Sequence, residues 1–233
     1  MSNNLATILI GLLPSFAWLL FFLREDARHP EPKKMLTLAF FGGAVATLAA
    51  FFIELEVSAF LSGFGVHPYT PVSFLALAAV EEILKFAVVI WLIGRSRYFD
   101  EPIDAMIYLI TAALGFAAVE NIAALIGPLS DPSLVFGTAA LRFIGATLLH
   151  SLAAGLVGYY WARGRAHHQV FTFAAEGLVF ASIIHAVFNF LIYNQSTVVI
   201  PTLFLLLVGL LVLNDFEELK LFPAKKISHS PHT

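Results

Sequence analysis

Seven long apolar runs dictate what this chain can become, at approximately residues 5–23, 35–53, 72–93, 103–126, 134–161, 171–193 and 197–213. Each approaches or exceeds the roughly 20 residues that a helix needs to cross a hydrocarbon core of about 30 Å. The hydrophobicity is continuous within each run rather than alternating, which argues for membrane helices and against a membrane barrel. Composition agrees: 59% of the 233 residues are hydrophobic, 12% are charged and the mean hydropathy is +0.86, outside the soluble globular range. The expected fold is an all-α integral membrane protein, a seven-helix transmembrane bundle. Residues 1–213 read as one polytopic domain and 214–233 as a polar tail. The first run lacks the basic flank and small-residue cleavage site of a secretory signal, so it is expected to persist as a span.

The basic residues give the expected orientation. Arg24, Arg28, Lys33 and Lys34 follow the first run, Arg95 and Arg97 the third, Arg163 and Arg165 the fifth, and Lys220, Lys225 and Lys226 lie in the tail. The loops between these contain no Lys or Arg. The positive-inside rule then puts the N-terminus outside and the C-terminus in the cytoplasm. No basic tract suggests nucleic acid as a partner, and the absence of cysteine excludes thiol catalysis and disulfides. Oligomeric state is not encoded in any readable feature.

The titratable residues inside the runs are unevenly distributed. The third run holds Glu81, Glu82 and Lys85, the fourth Asp104 and Glu120, the fifth Arg142 and His150, the sixth Glu176 and His185; the first, second and seventh hold none. A charge at mid-bilayer costs about 2.5–3.5 kcal/mol even on lenient insertion scales, so such residues face a protein interior or a wet cavity. Helices three to six are therefore the expected catalytic core. At 1.5 Å per residue, Glu81, Glu120, His150 and His185 fall about 14, 9, 14 and 12 Å below the outer ends of their runs. Antiparallel neighbours have no reason to share a level unless they share a site. Glu54, Glu56 and His67 are assigned to the outer loop after the second run, Glu176 to the inner interface, and Asp104 to a helix start where it serves equally as a cap.

On one helix, Lys85 projects about 40° from Glu81 and about 60° from Glu82, within reach of both carboxylates. Two adjacent carboxylates cannot both ionise cheaply in a low dielectric. Glu82 is expected to pair with Lys85, leaving Glu81 to activate water with help from Glu120 or His150. His185 and Asn189, one turn apart, would donate to a tetrahedral oxyanion. Arg142 and Asn121 are candidates for holding substrate, although Arg142 could equally snorkel to headgroups. Glu81, Glu120, His150 and His185 also form a donor set suited to a catalytic Zn2+, so metal-dependent and metal-free hydrolysis both stand. No GxSxG or GxGD signature occurs; Ser151 and Ser182 beside the histidines read as hydroxyls bonded to their own backbone. A proton- or ion-coupled transporter is the alternative function, since Glu and His chains also form relays.

These residues sit in motifs with a family likeness: Asp26, Glu31 and Pro32 in the first loop, EEILK at Glu81, Glu82 and Lys85, DAMIYLITAALGFAAVEN at Asp104, Phe116, Glu120 and Asn121, Arg142 and His150, and HAVFN at His185 and Asn189. Together they resemble the PrsW family of bacterial intramembrane proteases, distantly related to the CAAX prenyl proteases, from about Pro14 to Leu191. The resemblance implies a multi-pass protein of the bacterial plasma membrane that makes a first cut in a single-pass membrane protein near its outer end, typically an anti-sigma factor. Asn189 stands where the family motif often has Asp, a change that keeps hydrogen bonding and loses a charge.

Overall fold

A computed structural model describes residues 2–126, 132–195 and 197–221. Eight helices account for most of them: α1 (Ser2–Phe22), α2 (Lys33–Gly63), α3 (Pro71–Leu92), α4 (Asp104–Ile126), α5 (Pro132–Ile144), α6 (Ala146–Ala166), α7 (Val170–Asn194) and α8 (Val199–Leu221). Six stretches are long and apolar enough to span a membrane, α5 and α6 counting as one of 34 residues. The remaining helix, α3, has 22 residues and differs in carrying Glu81, Glu82 and Lys85. The chain is an all-helical membrane bundle.

The axis of the bundle is α4, buried on nearly all sides from Asp104 to Ala118. A helix apolar all round belongs in an interior, and its small residues explain how neighbours reach it. A Cβ at Gly115 would stand 1.9 Å from the carbonyl oxygen of Phe40, and one at Gly43 would stand 1.8 Å from that of Ala112. Glycine at both positions lets α2 and α4 cross backbone to backbone. The buried stripe of α2, Met35, Ala39, Gly43, Ala46 and Ala50, advances by three or four residues at a time, as one helix face requires. The outward faces carry large apolar side chains, including Trp91, Phe52 and Leu210, a surface suited to lipid.

Two expectations are corrected. The second helix does not end near residue 53: α2 continues to Gly63, so Glu54 and Glu56 are helical rather than in a loop. The fifth run is not one helix, because Gly145 breaks it with φ −110° and ψ −101°. Two distant residues brace the break, the Trp18 indole donating to the Phe143 carbonyl at 2.8 Å and Asn121 donating to Thr147 Oγ1 at 3.0 Å. At the far end, α8 runs past Asn214 to Leu221 with Phe216 and Leu219 buried. The tail beyond, with Lys225 and Lys226, lies outside the described residues.

Candidate active site

The break at Gly145 shapes the site. On a straight helix Arg142 and His150, eight residues apart, would lie about 12 Å apart along the axis. Here Arg142 Nη2 and His150 Nε2 both reach Glu120 Oε2, at 3.0 and 2.8 Å. Arg142 Nε also donates to Asn121 Oδ1, at 2.5 Å. Asn121, a substrate-binding candidate by sequence, is buried and occupied by Arg142 and Thr147. It positions the arginine.

Glu81, Glu82 and Lys85 come from α3, whose start is fixed by Pro71 in the first turn and by Thr70, whose hydroxyl accepts from the Ser73 N–H. The Lys85 ammonium donates to Glu82 Oε1 at 2.8 Å, Glu81 Oε2 at 3.1 Å and His150 Nδ1 at 2.9 Å, and lies 4.4 Å from the centre of the Phe116 ring. Three donors with three acceptors leave a fully buried ammonium satisfied. Its bond to His150 assigns that ring: Nδ1 accepts, so Nε2–H donates to Glu120. His185 is arranged the other way. Its Nδ1 lies 2.9 Å from Glu82 Oε1, and a neutral ring donating there leaves Nε2 as an acceptor, facing Glu81 Oε1 at 3.9 Å.

Among the described residues Glu82 Oε2 is buried without a hydrogen-bond partner, and no hydrogen bond engages His185 Nε2 or Glu81 Oε1. A gap of 3.9 Å between Glu81 and His185 suits one small species between them, a water or a metal ion. Ligand atoms of Glu81, Glu82, His150 and His185 lie within 4.8 Å of one another, a group that takes Glu82 where the sequence suggested Glu120. Glu82 keeps an orphaned carboxylate oxygen, and it is grouped with a second carboxylate and two imidazoles, the oxygen and nitrogen donors that zinc takes, so the residues fit such an ion. His150 would join through Nδ1 only as the ammonium withdrew.

The remaining candidates sort themselves by contact. Asn189, one turn beyond His185 on α7, is half-buried, and its side chain makes no hydrogen bond within the described residues. Ser151 and Ser182 donate to the Leu148 and Leu178 carbonyls, at 2.8 and 2.7 Å, as small hydroxyls in membrane helices do. Asp104 accepts from the Asp100 and Glu101 N–H groups at the opposite end of the bundle. Glu176, Glu56 and His67 are exposed. Sequence reasoning misplaced Glu54: it lies on α2 one turn past the buried Ala50 and is half-buried rather than in an outer loop. The four-residue step from Ala46 through Ala50 was the available signal.

A membrane bundle that gathers carboxylates, imidazoles and a buried ammonium around one small gap has the makings of an intramembrane hydrolase. Comparison with known proteins makes this specific. The profile of the PrsW family intramembrane metalloproteases matches residues 31–214, and the chain belongs to that family. It is 29% identical over 193 residues to protease PrsW of Bacillus subtilis, covering 82% of this chain and 84% of the relative. Against protease PrsW of Oceanobacillus iheyensis it is 27% identical over 214 residues, 90% of this chain and 94% of the relative. No solved structure matches. The protein is an intramembrane protease, a multi-pass enzyme of the bacterial plasma membrane.

Proposed function

We propose that the enzyme cuts a single-pass membrane protein near the outer end of its transmembrane segment, with Glu81 as the base. The carrying observation is the uncommitted pair, Glu81 Oε1 facing His185 Nε2 across 3.9 Å. A water in that gap gives a proton to the Glu81 carboxylate while its oxygen attacks the scissile carbonyl carbon. The C=O electrons move onto oxygen. Asn189, with its amide unspent, is the available donor to that oxyanion, a role in which His185 is replaced because its only N–H is held by Glu82. When the intermediate collapses, the C–N bond breaks and the proton on Glu81 passes to the leaving nitrogen, so the products are an acid and an amine. A zinc ion held by Glu81, Glu82, His185 and, at need, His150 would, when bound, polarise the carbonyl and acidify water.

Lys85 and Glu82 act as positioning residues, fixing Glu81 and the His185 tautomer. Arg142 keeps Glu120 on His150, and both keep some exposure, with side chains 22% and 29% accessible, which favours entry from their side. With the basic loops in the cytoplasm, that side faces the outer leaflet. An apolar recess of about 220 Å3 between Ser58 and Leu61 of α2 and Ser73, Phe74 and Leu77 of α3 ends one turn from Glu81 and suits an apolar stretch of substrate. An anti-sigma factor is the substrate class we favour, on the motif resemblance. Reconstitution with a single-pass test substrate checks the proposal: Glu81→Ala is expected to abolish cleavage, and undiminished cutting by that variant would remove Glu81 from the chemistry.

A further inference from the structure

At the end of the bundle where Asp104 lies, the loop from α3 to α4 and the last turn of α6 enclose a recess of about 80 Å3. Arg95, Arg97, Phe99 and Asp100 wall it from the loop, and Arg165 walls it from α6. Arg165 is half-buried, yet it has no hydrogen bond or ion pair among the described residues. Its guanidinium lies 4.3 Å from the centre of the Phe99 ring, and Phe99, itself buried, stacks on Trp161 at 4.7 Å. An aromatic shelf thus holds the cation in place and leaves its N–H fork unspent. Asp104 acts on Arg165 only from a distance, its carboxylate accepting from the Asp100 and Glu101 N–H groups instead. Arg97 donates to the Tyr98 hydroxyl at 2.7 Å, a neutral partner, and Arg95 has no partner among the described residues.

Basic residues after membrane helices have an ordinary explanation in orientation and in the C-terminal dipoles of α3 and α6. Here the charge exceeds that need. Three guanidinium groups against the Asp100 carboxylate leave two positive charges, and two helix ends of roughly half a charge each answer about one of them. The setting is that of lipid headgroups: Trp91, one turn before Arg95, is 82% exposed, and Phe171, at the start of α7, is 92% exposed, aromatic side chains of the kind that mark the boundary of the apolar core. The volume is several times what one water needs, room for a phosphate group and not for the rest of a lipid. We propose that the recess seats a phosphate group, that of an anionic phospholipid whose acyl chains stay in the surrounding bilayer. Arg165 is the fixed donor, and Arg95 and Arg97 form the exposed rim. The inference concerns how the protein engages its membrane and is independent of whether the active site holds a metal.

The test is lipid binding by the full-length protein, delipidated in detergent and titrated with phosphatidylglycerol or with phosphatidylcholine of the same chains under native mass spectrometry. Wild type is expected to prefer phosphatidylglycerol about tenfold, and Arg165→Gln to lose most of that preference, as removal of a seated cation requires. Arg165→Lys, which keeps the charge without the planar fork, is expected to fall between them. Should Arg165→Gln fail to fold, the double variant Arg95→Gln with Arg97→Gln, both on the exposed rim, carries the same expectation. Arg28→Gln, an exposed charge of the first loop outside the recess, is expected to leave the preference unchanged. Arg165→Gln matching wild type would overturn the inference, and so would an equal loss in Arg28→Gln, which would mean a diffuse positive surface. Inorganic phosphate that binds alone at millimolar concentration and displaces phosphatidylglycerol would give the recess to a soluble anion instead.

Discussion

Two groups of buried acids sit at opposite ends of this bundle and are stabilised by different means. The site described above combines Glu81, Glu82 and Glu120 with Lys85, Arg142 and two imidazoles. At the other end, Asp26, Glu31 and Asp104 are buried with no lysine or arginine ion pair among the described residues. Instead Asp104 accepts two backbone N–H groups and Tyr108 donates to Glu31. Neighbouring buried carboxyl groups with no cation beside them favour the protonated form. Each group keeps one buried carboxylate oxygen without a hydrogen-bond partner, Asp26 Oδ2 in the second and Glu82 Oε2 in the first. The lesson is that burial of acids alone does not make a catalytic centre: the second group meets backbone donors and a tyrosine hydroxyl and ties the first loop to α4, whereas the first surrounds its acids with an ammonium and two imidazoles that can hold and move protons.

The sharpest way to break this comparison is to remove the proposed base. Glu81→Gln is expected to lower cleavage of a reconstituted single-pass substrate by about a thousandfold, within the range for a general base, whereas Asp104→Asn at the far end should reduce cleavage only as far as it reduces folded protein. Equal losses in specific activity would mean that the two clusters are not functionally distinct. Next in size, Lys85→Met strands two carboxylates and an imidazole acceptor and is expected to destabilise the fold by about 3–5 kcal/mol, read as a lower unfolding temperature in detergent. Stripping metal with a chelator is expected to stop cleavage, and zinc to restore it; activity that persisted in chelator would leave Glu81 working without an ion.

A pH series separates the clusters again. Burial, reinforced by the Asp104 and Glu101 charges, pushes Asp26 up to about 7, and burial likewise raises Glu31. The folded state therefore prefers these groups protonated. The stability they contribute is complete below about pH 4 and is lost as pH rises through about 7. With His29 and the rim solvent screening part of the effect, thermal unfolding should show a loss of about 1–2 kcal/mol between pH 5 and pH 8. Asp26→Asn is expected to flatten that slope. A wild-type protein equally stable at both values would contradict the account of these buried carboxyls as protonated.

Most of the bundle was legible because burial in lipid forces apolar runs of fixed length, and hydrocarbon thickness sets where they start. What length cannot report is where a helix ends beyond the membrane. The second run stops being uniformly apolar at Glu54, yet Leu55, Val57, Ala59 and Phe60 sustain a helix to Gly63. The site residues were legible as types and levels, since a charge among apolar residues is conspicuous. Their pairings were not. Whether Glu82 spends one oxygen or two, and which nitrogen of His185 stays free, depends on side-chain directions across helices more than sixty residues apart, which spacing along one helix does not carry.

The smallest expected effect probes the feature least visible beforehand, the break at Gly145. A continuous helix would carry Arg142 away from Glu120, so the bond from Trp18 to the Phe143 carbonyl does more than satisfy an indole: it holds α1 against the turn from which the two halves diverge. Trp18→Phe keeps the stacking surface and removes that one bond, worth about 1 kcal/mol. Because Arg142 and His150 meet on a single oxygen, a slight straightening should be felt in cleavage before it is felt in stability. The expected result is a several-fold fall in kcat with little change in KM and an unfolding temperature lowered by only a few degrees. A fall in stability with kcat intact would show that the indole merely anchors α1, and that the geometry around Glu120 is set by Asn121 and Thr147 alone.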